Sequence, residues 1–311
     1  MNRPELVSTA RDLKELKLLA DAGADAFTIG HQKYGLRVTG DFDINDIRQA
    51  VDYLHPIDKK VFVVTNAILH NDNLTDFPDY LIQLEEIGVD GIICGDPTVF
   101  PILDEIDSQL SVFWNPETLA TNYETLKYWQ TKGIKRAILS NELALDAIID
   151  IKNELTLPIE IQVHGMTCIF QSKRKLVTNY YNYIKEKNNQ ETYSEAKQLH
   201  LKQFKEDDSH YPVYEDFNGT HIMSNEDLSM IEYLQPIIDA GIDSVRINGL
   251  FKSGEYMEKI VSIYRKAIDL YCSSPTNNYL SKRETFKQQI NAIQPKDRQL
   301  DTGFYFKEQI Y

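Results

Sequence analysis

The chain has 311 residues, and 33 Lys and Arg stand against 47 Asp and Glu, for a formal net charge of −14. With 42% hydrophobic and 26% charged residues it reads as a folded globular protein, and neither a disordered tail nor a fibre fits that balance. No run approaches the ~18 apolar residues of a membrane span, the first residues lack a signal-peptide core, and three cysteines exclude a disulfide framework, so the expected location is the cytoplasm with no membrane partner.

In chain order, short β-rich apolar runs alternate with amphipathic segments. A strand is expected at Glu5–Thr9 and a helix at Asp12–Ala22, then a strand at Ala26–Gly30 and a helix at Ile44–Leu54. The pattern continues with Lys60–Asn66 and Asn73–Ile87, with Gly91–Asp96, and with Ser111–Asn115 and Asn122–Lys132. Arg136–Ser140 precedes a helix at Glu142–Asn153, and a seventh strand follows at Ile159–His164. Roughly 60 residues (165–225) then intervene, far more than an ordinary βα loop, so a lid or an inserted subdomain is expected there. A helix at Glu226–Ala240, a strand at Ser244–Asn248 and a helix near 253–271 complete the series. Glycines at 23, 88, 133 and 241 stand where helix C-caps are expected. Eight strand–helix units point to a (β/α)8 TIM-type barrel over 1–272. The 166–225 insertion interrupts it after strand seven, and 273–311 forms a C-terminal extension expected to dock on the barrel. A doubly wound open sheet is the alternative, but no Gly-rich phosphate turn follows the first strand.

In such a barrel the site is built at the C-terminal ends of the strands. The polar residues there are His31, Arg37, Asn66, His70, Asp96, Asn115, Glu117, Glu142, His164, Arg246, Asn248 and Lys252. Along strand seven Glu160, Gln162 and His164 alternate with Ile159, Ile161 and Val163, which places the polar three on one, inward face. A buried carboxylate must be paired or functional. A Glu160–Arg246 ion pair across neighbouring strands and a catalytic Glu160 stand as equal readings. His164, higher on the strand, is the better catalytic candidate, against a satisfied histidine that anchors the next loop. Cys168, four residues on, is either a partner for that imidazole or a buried structural thiol. No His-x-His or His-Glu-x-x-His spacing supports a metal site, so none is assigned. Arg37 could clamp a carboxylate or phosphate, or be a solvated loop arginine.

The insertion has its own composition. Residues 166–205 hold eight basic residues against three acidic, a local charge of +5 that leaves −19 for the rest. Lys173, Arg174 and Lys175, with Tyr180 and Tyr181 nearby, suit an RNA strand, since cations meet phosphates and rings meet unstacked bases. The ordinary alternative is a solvated helix with tyrosines packed beneath. An acidic chain is a poor nucleic-acid binder as a whole, so any RNA contact is expected to be local to this segment.

Several segments carry a further signal: AGADAFTIG (22–30), TNAILH (65–70), GVDGIICGDP (88–97), WNPET (114–118), KRAILSNEL (135–143), EIQVHGMTC (160–168), the stretches 215–228 and 240–249, and TGF (302–304). Through them the chain resembles the U32 peptidase family, called collagenase-like, and its short bacterial form similar to tRNA wobble-uridine 5-hydroxylation proteins. The family label implies a peptide hydrolase, metal-assisted or not, in which His164 acts as base or metal ligand with Glu160 or Asp96 assisting. The better-understood relatives imply instead prephenate-dependent 5-hydroxylation of the wobble uridine of tRNA. That chemistry implies a small dicarboxylate such as prephenate, or a phosphate, held by Arg37, His164, Arg246 and Lys252, with Asn66 and Glu142 as further substrate contacts. It also implies an iron–sulfur cluster on cysteines beginning at the 164–168 block. Here Cys168 is present, but Lys175 stands in the second cysteine's place and no pair follows before Cys272. The resemblance therefore implies no cluster bound by this chain alone, and a longer, cysteine-bearing paralogue as its hetero-oligomeric partner. Asn141 and Leu250 stand where the family has arginine. A purely structural partner of that paralogue is the third reading.

Overall fold

The computed structural model describes residues 3–185, 193–194, 197–203, 206–273 and 278–307. In chain order the first half runs β1 (Glu5–Thr9), α1 (Leu13–Asp21), β2 (Ala26–Ile29), α2 (Ile44–Leu54), β3 (Lys60–Val64), α3 (Asn71–Leu74), α4 (Phe77–Ile87), β4 (Gly91–Cys94), α5 (Val99–Glu105), β5 (Val112–Trp114), α6 (Tyr123–Thr131), β6 (Arg136–Ile138), α7 (Leu145–Glu154) and β7 (Ile159–Gly165). The insertion follows as β8 (Cys168–Ser172), α8 (Leu176–Lys185), β9 (Leu199–Gln203), β10 (Glu206–Asp216) and β11 (Gly219–Met223). The chain ends with β12 (Asp227–Ser229), α9 (Leu234–Asp239), β13 (Ser244–Ile247), α10 (Gly254–Ser273), α11 (Asn278–Ile293) and β14 (Leu300–Asp301).

Strands β1 to β7 pair in sequence, all parallel, and β13 pairs with both β1 and β7, which closes an eight-stranded (β/α)8 barrel. Period-two alternation divides the side chains. Phe27, Ile29, Val61, Val63, Ile92, Trp114, Ile159, Ile161, Val245 and Ile247 belong to the outer core shared with the helices. Val7, Ala26, Phe62, Val64, Ile93, Phe113 and Ile138 form a smaller cluster inside the barrel. Helices start where the sequence supplies caps: the Asp12 carboxylate accepts from Glu15 N, Asp43 and Asp46 form a capping box, and Asn122 caps α6.

Prolines account for two departures from the expected elements. The helix expected at Asn73–Ile87 is broken between α3 and α4, with Pro78 in the first turn of the second piece. The helix expected at Glu226–Ala240 is reduced to α9, because Pro236 tolerates only the first turn. Its first residues form β12 instead, antiparallel to β7, with β14 added alongside. The insertion folds as an antiparallel sheet ordered β8-β11-β10-β9. The Asn218 amide donates to the Gln32 and Gly35 carbonyls (2.8 and 3.0 Å), which ties this sheet to the loop after β2. The C-terminal segment is fastened by buried phenols: Tyr279 donates to the Ile231 carbonyl (2.5 Å) and Tyr305 to the Gln162 carbonyl (2.6 Å). Among the described residues no helix is long and apolar enough to cross a membrane.

Candidate functional site

The barrel interior carries a column of charge. Lys60 pairs with Glu5 (2.8 Å), Glu5 with Arg136 (2.7 Å), Arg136 with Glu160 (3.0 Å) and Glu160 with Arg246 (3.6 Å). The Arg136 guanidinium also lies over the Phe62 and Phe113 rings at 4.8 and 4.7 Å. Burial and the two carboxylates act in opposite directions on Arg136, and the carboxylates prevail, holding its pKa above the ordinary value. Glu160 is wholly buried inside this column. It makes the expected pair with Arg246, but its shorter contact is with Arg136, and it acts as an internal counter-ion.

Above the column lies the mouth. A small cavity, about 80 Å³, is lined by Arg37, Asn66, Glu117, Cys168, Arg246 and Asn248, together with Thr9, Thr28, Asn115, Asn141 and Gln162. Arg37 forms an ion pair with Glu117, whose other oxygen accepts from the Asn66 amide (2.9 Å), while Asn66 Oδ1 accepts from Leu36 N (2.9 Å). Burial disfavours the Arg37 charge, yet Glu117 together with weaker contributions from Cys168, Tyr214 and Asp216 outweighs it, and the guanidinium pKa is raised. Arg37 and Glu117 both occupy left-handed backbone conformations (φ +52° and +58°), which cost free energy in residues with a Cβ and tend to be kept where geometry serves a site. Gly165 at the end of β7 is required: at φ +97° a Cβ would come 2.1 Å from the Asn248 carbonyl. The Cys168 thiol also faces this cavity; burial pushes its pKa up and nearby Arg37 pulls it back only in part.

Of the polar residues expected at the mouth, His31, His70, Asp96, Glu142, His164 and Lys252 do not line this cavity. The β7–β13 register skips a residue, so that Arg246 faces Gln162 but Ile247 faces His164. This β-bulge turns the imidazole out of the interior and into the layer beneath α10, because a bulge resets which face each side chain takes. There Nε2 meets the Tyr256 hydroxyl (2.8 Å), and the ring packs edge-on against Tyr264. Tyr256 donates to Gln294 Oε1 (2.7 Å) and Gln294 Nε2 donates to Asp227 (2.7 Å), so Tyr256 accepts the proton of His164 Nε2. Burial drives the His164 pKa down to about 3, against a weaker upward pull from Asp227, and the ring is neutral. The period-two reading of His164 as an inward catalytic group is thus corrected by the bulge.

Lys252 is likewise buried away from the cavity, paired with Asp227, which also accepts two bonds from Arg298 (2.8 and 3.0 Å). Burial would raise the Asp227 pKa, but the two cations dominate and hold it at about 2. Asp96 is occupied with backbone donors, Leu69 N and Thr98 N, both at 2.9 Å. Glu142 is exposed beside Ser140 and does not line the cavity. Of the proposed substrate contacts, the mouth therefore assembles Arg37, Asn66 and Arg246. Glu117 was visible as a polar mouth residue, but its importance depends on an Arg37 pairing across 80 positions of sequence that no local pattern announces. A second cavity of about 540 Å³ lies beside α11, but its Lys287 and Arg298 are already paired with Glu232 and Asp227.

On the insertion, Lys173, Arg174, Lys175, Tyr180 and Tyr183 are exposed, and Lys173 lies over the Phe217 ring. Tyr181 instead stacks on buried Tyr193 (5.0 Å, 9°), a packed pair as the ordinary alternative expects. Lys185 and the charged residues 186, 187, 191, 195 and 205 lie wholly or in their side chains outside the described residues. Cys94 is buried in β4 and Cys272 sits on α10, so the thiols occupy separate elements, and three cysteines cannot supply a four-thiolate cluster. Lys175 is exposed past the far end of β8 from Cys168. Among the described residues no group of three His, Cys, Asp or Glu side chains could hold a metal ion.

A family described as peptidase family U32 matches residues 11–310. The chain is 44% identical to tRNA hydroxylation protein P2 of Bacillus subtilis (strain 168) over 311 residues, the full length of both. It is 32% identical to tRNA hydroxylation protein P1 of the same organism over 90% of this chain and 66% of that protein. It is also 29% identical to the 23S rRNA 5-hydroxycytidine C2501 synthase of Escherichia coli (strain K12), over 86% of this chain and 40% of that enzyme.

Proposed function

The chain belongs to peptidase family U32, and from that membership we propose that it serves in tRNA hydroxylation, at the 5-position of the wobble uridine. The observation that carries this reading is the similarity, end to end, to a tRNA hydroxylation protein P2. The mouth supports it with two arginines, Arg37 and Arg246, and amide-bearing Asn66 and Asn248 around one cavity at the C-terminal end of the barrel. Such a site suits a small dicarboxylate, and prephenate is the proposed ligand. The exposed Lys173–Lys175 turn and the Tyr180 and Tyr183 rings stand two or more residues beyond Gln171, whose side chain reaches Arg37 (3.5 Å). Phosphate and base contacts from that face would bring an unpaired anticodon nucleotide to the mouth.

The reading includes a partner. A P1 and a P2 protein occur together in one organism, and this chain is similar to both. We assign the longer, cysteine-bearing paralogue the iron–sulfur cluster that three scattered thiols cannot hold, with the barrel, the 166–225 insertion and the 273–311 extension as the parts of this subunit. The peptidase alternative has less support: its general base, His164, is sealed from the mouth and, with its pKa lowered to about 3 by burial, is a poor proton acceptor, while Asp96 holds backbone amides. The test is deletion of the gene in a strain without redundant relatives, followed by mass spectrometry of tRNA nucleosides. Loss of wobble 5-hydroxyuridine is expected, and an unchanged level overturns the reading. Affinity purification from the native cell should also recover the paralogue and tRNA.

A further inference from the structure

The buried column of charge is balanced in number but not in contact. Arg136 and Arg246 stand against Glu5 and Glu160, with the half-exposed Lys60 at the foot, and Arg136 takes the short contacts to both carboxylates. The column ends at Arg246, the member that lines the mouth cavity. This last pair is also the loosest: Arg246 Nε stands 3.6 Å from Glu160 Oε1, against 2.7 and 3.0 Å from Arg136 to its two carboxylates. Both atoms of that long contact are buried without a hydrogen-bond partner, so Glu160 holds the Arg246 charge only loosely and leaves it to attract an anion in the cavity.

Arg37, in the same cavity, is disposed differently. Its charge is already met by Glu117, and Glu117 is held in place by the Asn66 amide. The Glu117 side chain is 37% exposed while Arg37 is only 10% exposed. The carboxylate can therefore turn out to water at small desolvation cost, whereas the guanidinium stays in the cavity and needs another anion in its place.

We propose that Arg246 anchors one anionic group of a small ligand and that Glu117 is a built-in counter-ion, standing on Arg37 where the second anionic group of that ligand binds. A dianion must displace Glu117 charge for charge, which lowers its apparent affinity by the fraction of molecules in which Arg37 is free. A monoanion needs Arg246 alone and does not compete with Glu117. The inference rests on the reading of the mouth as a dicarboxylate site, and adds the residue that sets how two charges are received.

The test is calorimetric titration of the full chain with acetate, malonate, succinate and glutarate. Glu117→Gln keeps the shape and the acceptor for Asn66 but removes the charge; Glu117→Ala also removes any amide contact to Arg37. Both variants should bind the dicarboxylate of fitting length about tenfold more tightly, with acetate changed by less than about twofold. Arg246→Gln should weaken every acid by about tenfold or more, and Arg246→Lys less, since it keeps the charge without the fork. Unchanged or weaker dicarboxylate binding by both Glu117 variants, at unchanged melting temperature, overturns the counter-ion role while leaving the dicarboxylate site standing. Failure of the wild-type chain to bind any of the four acids overturns the site itself.

Discussion

His164 offers a test of the architecture through pH. In the folded chain its pKa lies at about 3 because the ring is wholly buried, whereas the unfolded chain has the ordinary 6.5. Between these values the unfolded state binds a proton that the folded state refuses. Stability from this residue is thus undiminished above 6.5 and is lost progressively as pH falls toward 3, by up to about 5 kcal/mol at 1.36 kcal/mol per unit. Between about pH 7.5 and pH 5 the loss is about 2 kcal/mol. Replacement of the ring, His164→Phe, removes that term. The variant should lose about 1 kcal/mol at neutral pH for the Tyr256 hydrogen bond. On going to about pH 5, however, it should lose some 2 kcal/mol less than the wild type. Urea unfolding at the two pH values, read by circular dichroism, gives both numbers. Parallel pH dependence for the two proteins would mean that water reaches the imidazole and that the bulge does not remove it from the mouth.

Two further outcomes follow from the same geometry. Asp227→Asn leaves Lys252 and Arg298 buried without their carboxylate, and thermal or denaturant unfolding should register a loss of about 3–5 kcal/mol; the wild-type advantage should persist above pH 3.8 and fade as pH drops toward about 2, because the folded-state pKa is depressed. Replacement of Lys173, Arg174 and Lys175 by alanine should leave unfolding within about 0.5 kcal/mol per site, as befits exposed side chains, while the salt dependence of tRNA binding, measured by anisotropy, flattens by about 0.7 in log–log slope for each phosphate that the variant no longer neutralises.

The barrel was legible because its strands are short β-branched runs whose alternation sorts Ile159, Ile161 and Val245 outward and Glu160 and Arg246 inward. Every barrel strand was placed within two residues of its observed ends. Where the reading failed, a single local feature had overridden the period. At Val163 the bulge moved His164 to the other face, and a bulge leaves no mark in hydrophobic alternation. At Pro236 a missing N–H shortened an amphipathic helix, a signal that was present in the sequence. The β10–β11 hairpin also had a signal in Gly219, which takes φ +109° directly after the two turn residues 217–218. The mouth was legible as a set of polar residues but not as a selection among them. Lys252 and Arg246 are six residues apart, yet one faces Asp227 in the packing layer and the other the cavity, and only the fold separates them.

Whether Arg37 and Arg246 serve wobble-uridine hydroxylation at the barrel mouth is decided in the cell. A deletion strain should be complemented with the wild-type gene or with a gene carrying Arg37→Ala and Arg246→Gln, with equal soluble protein in both, and wobble 5-hydroxyuridine measured by mass spectrometry. The wild type should restore the modification in full, and the double variant should leave it near the level of the deletion. Restoration of the modification by the double variant would contradict a role for the two arginines.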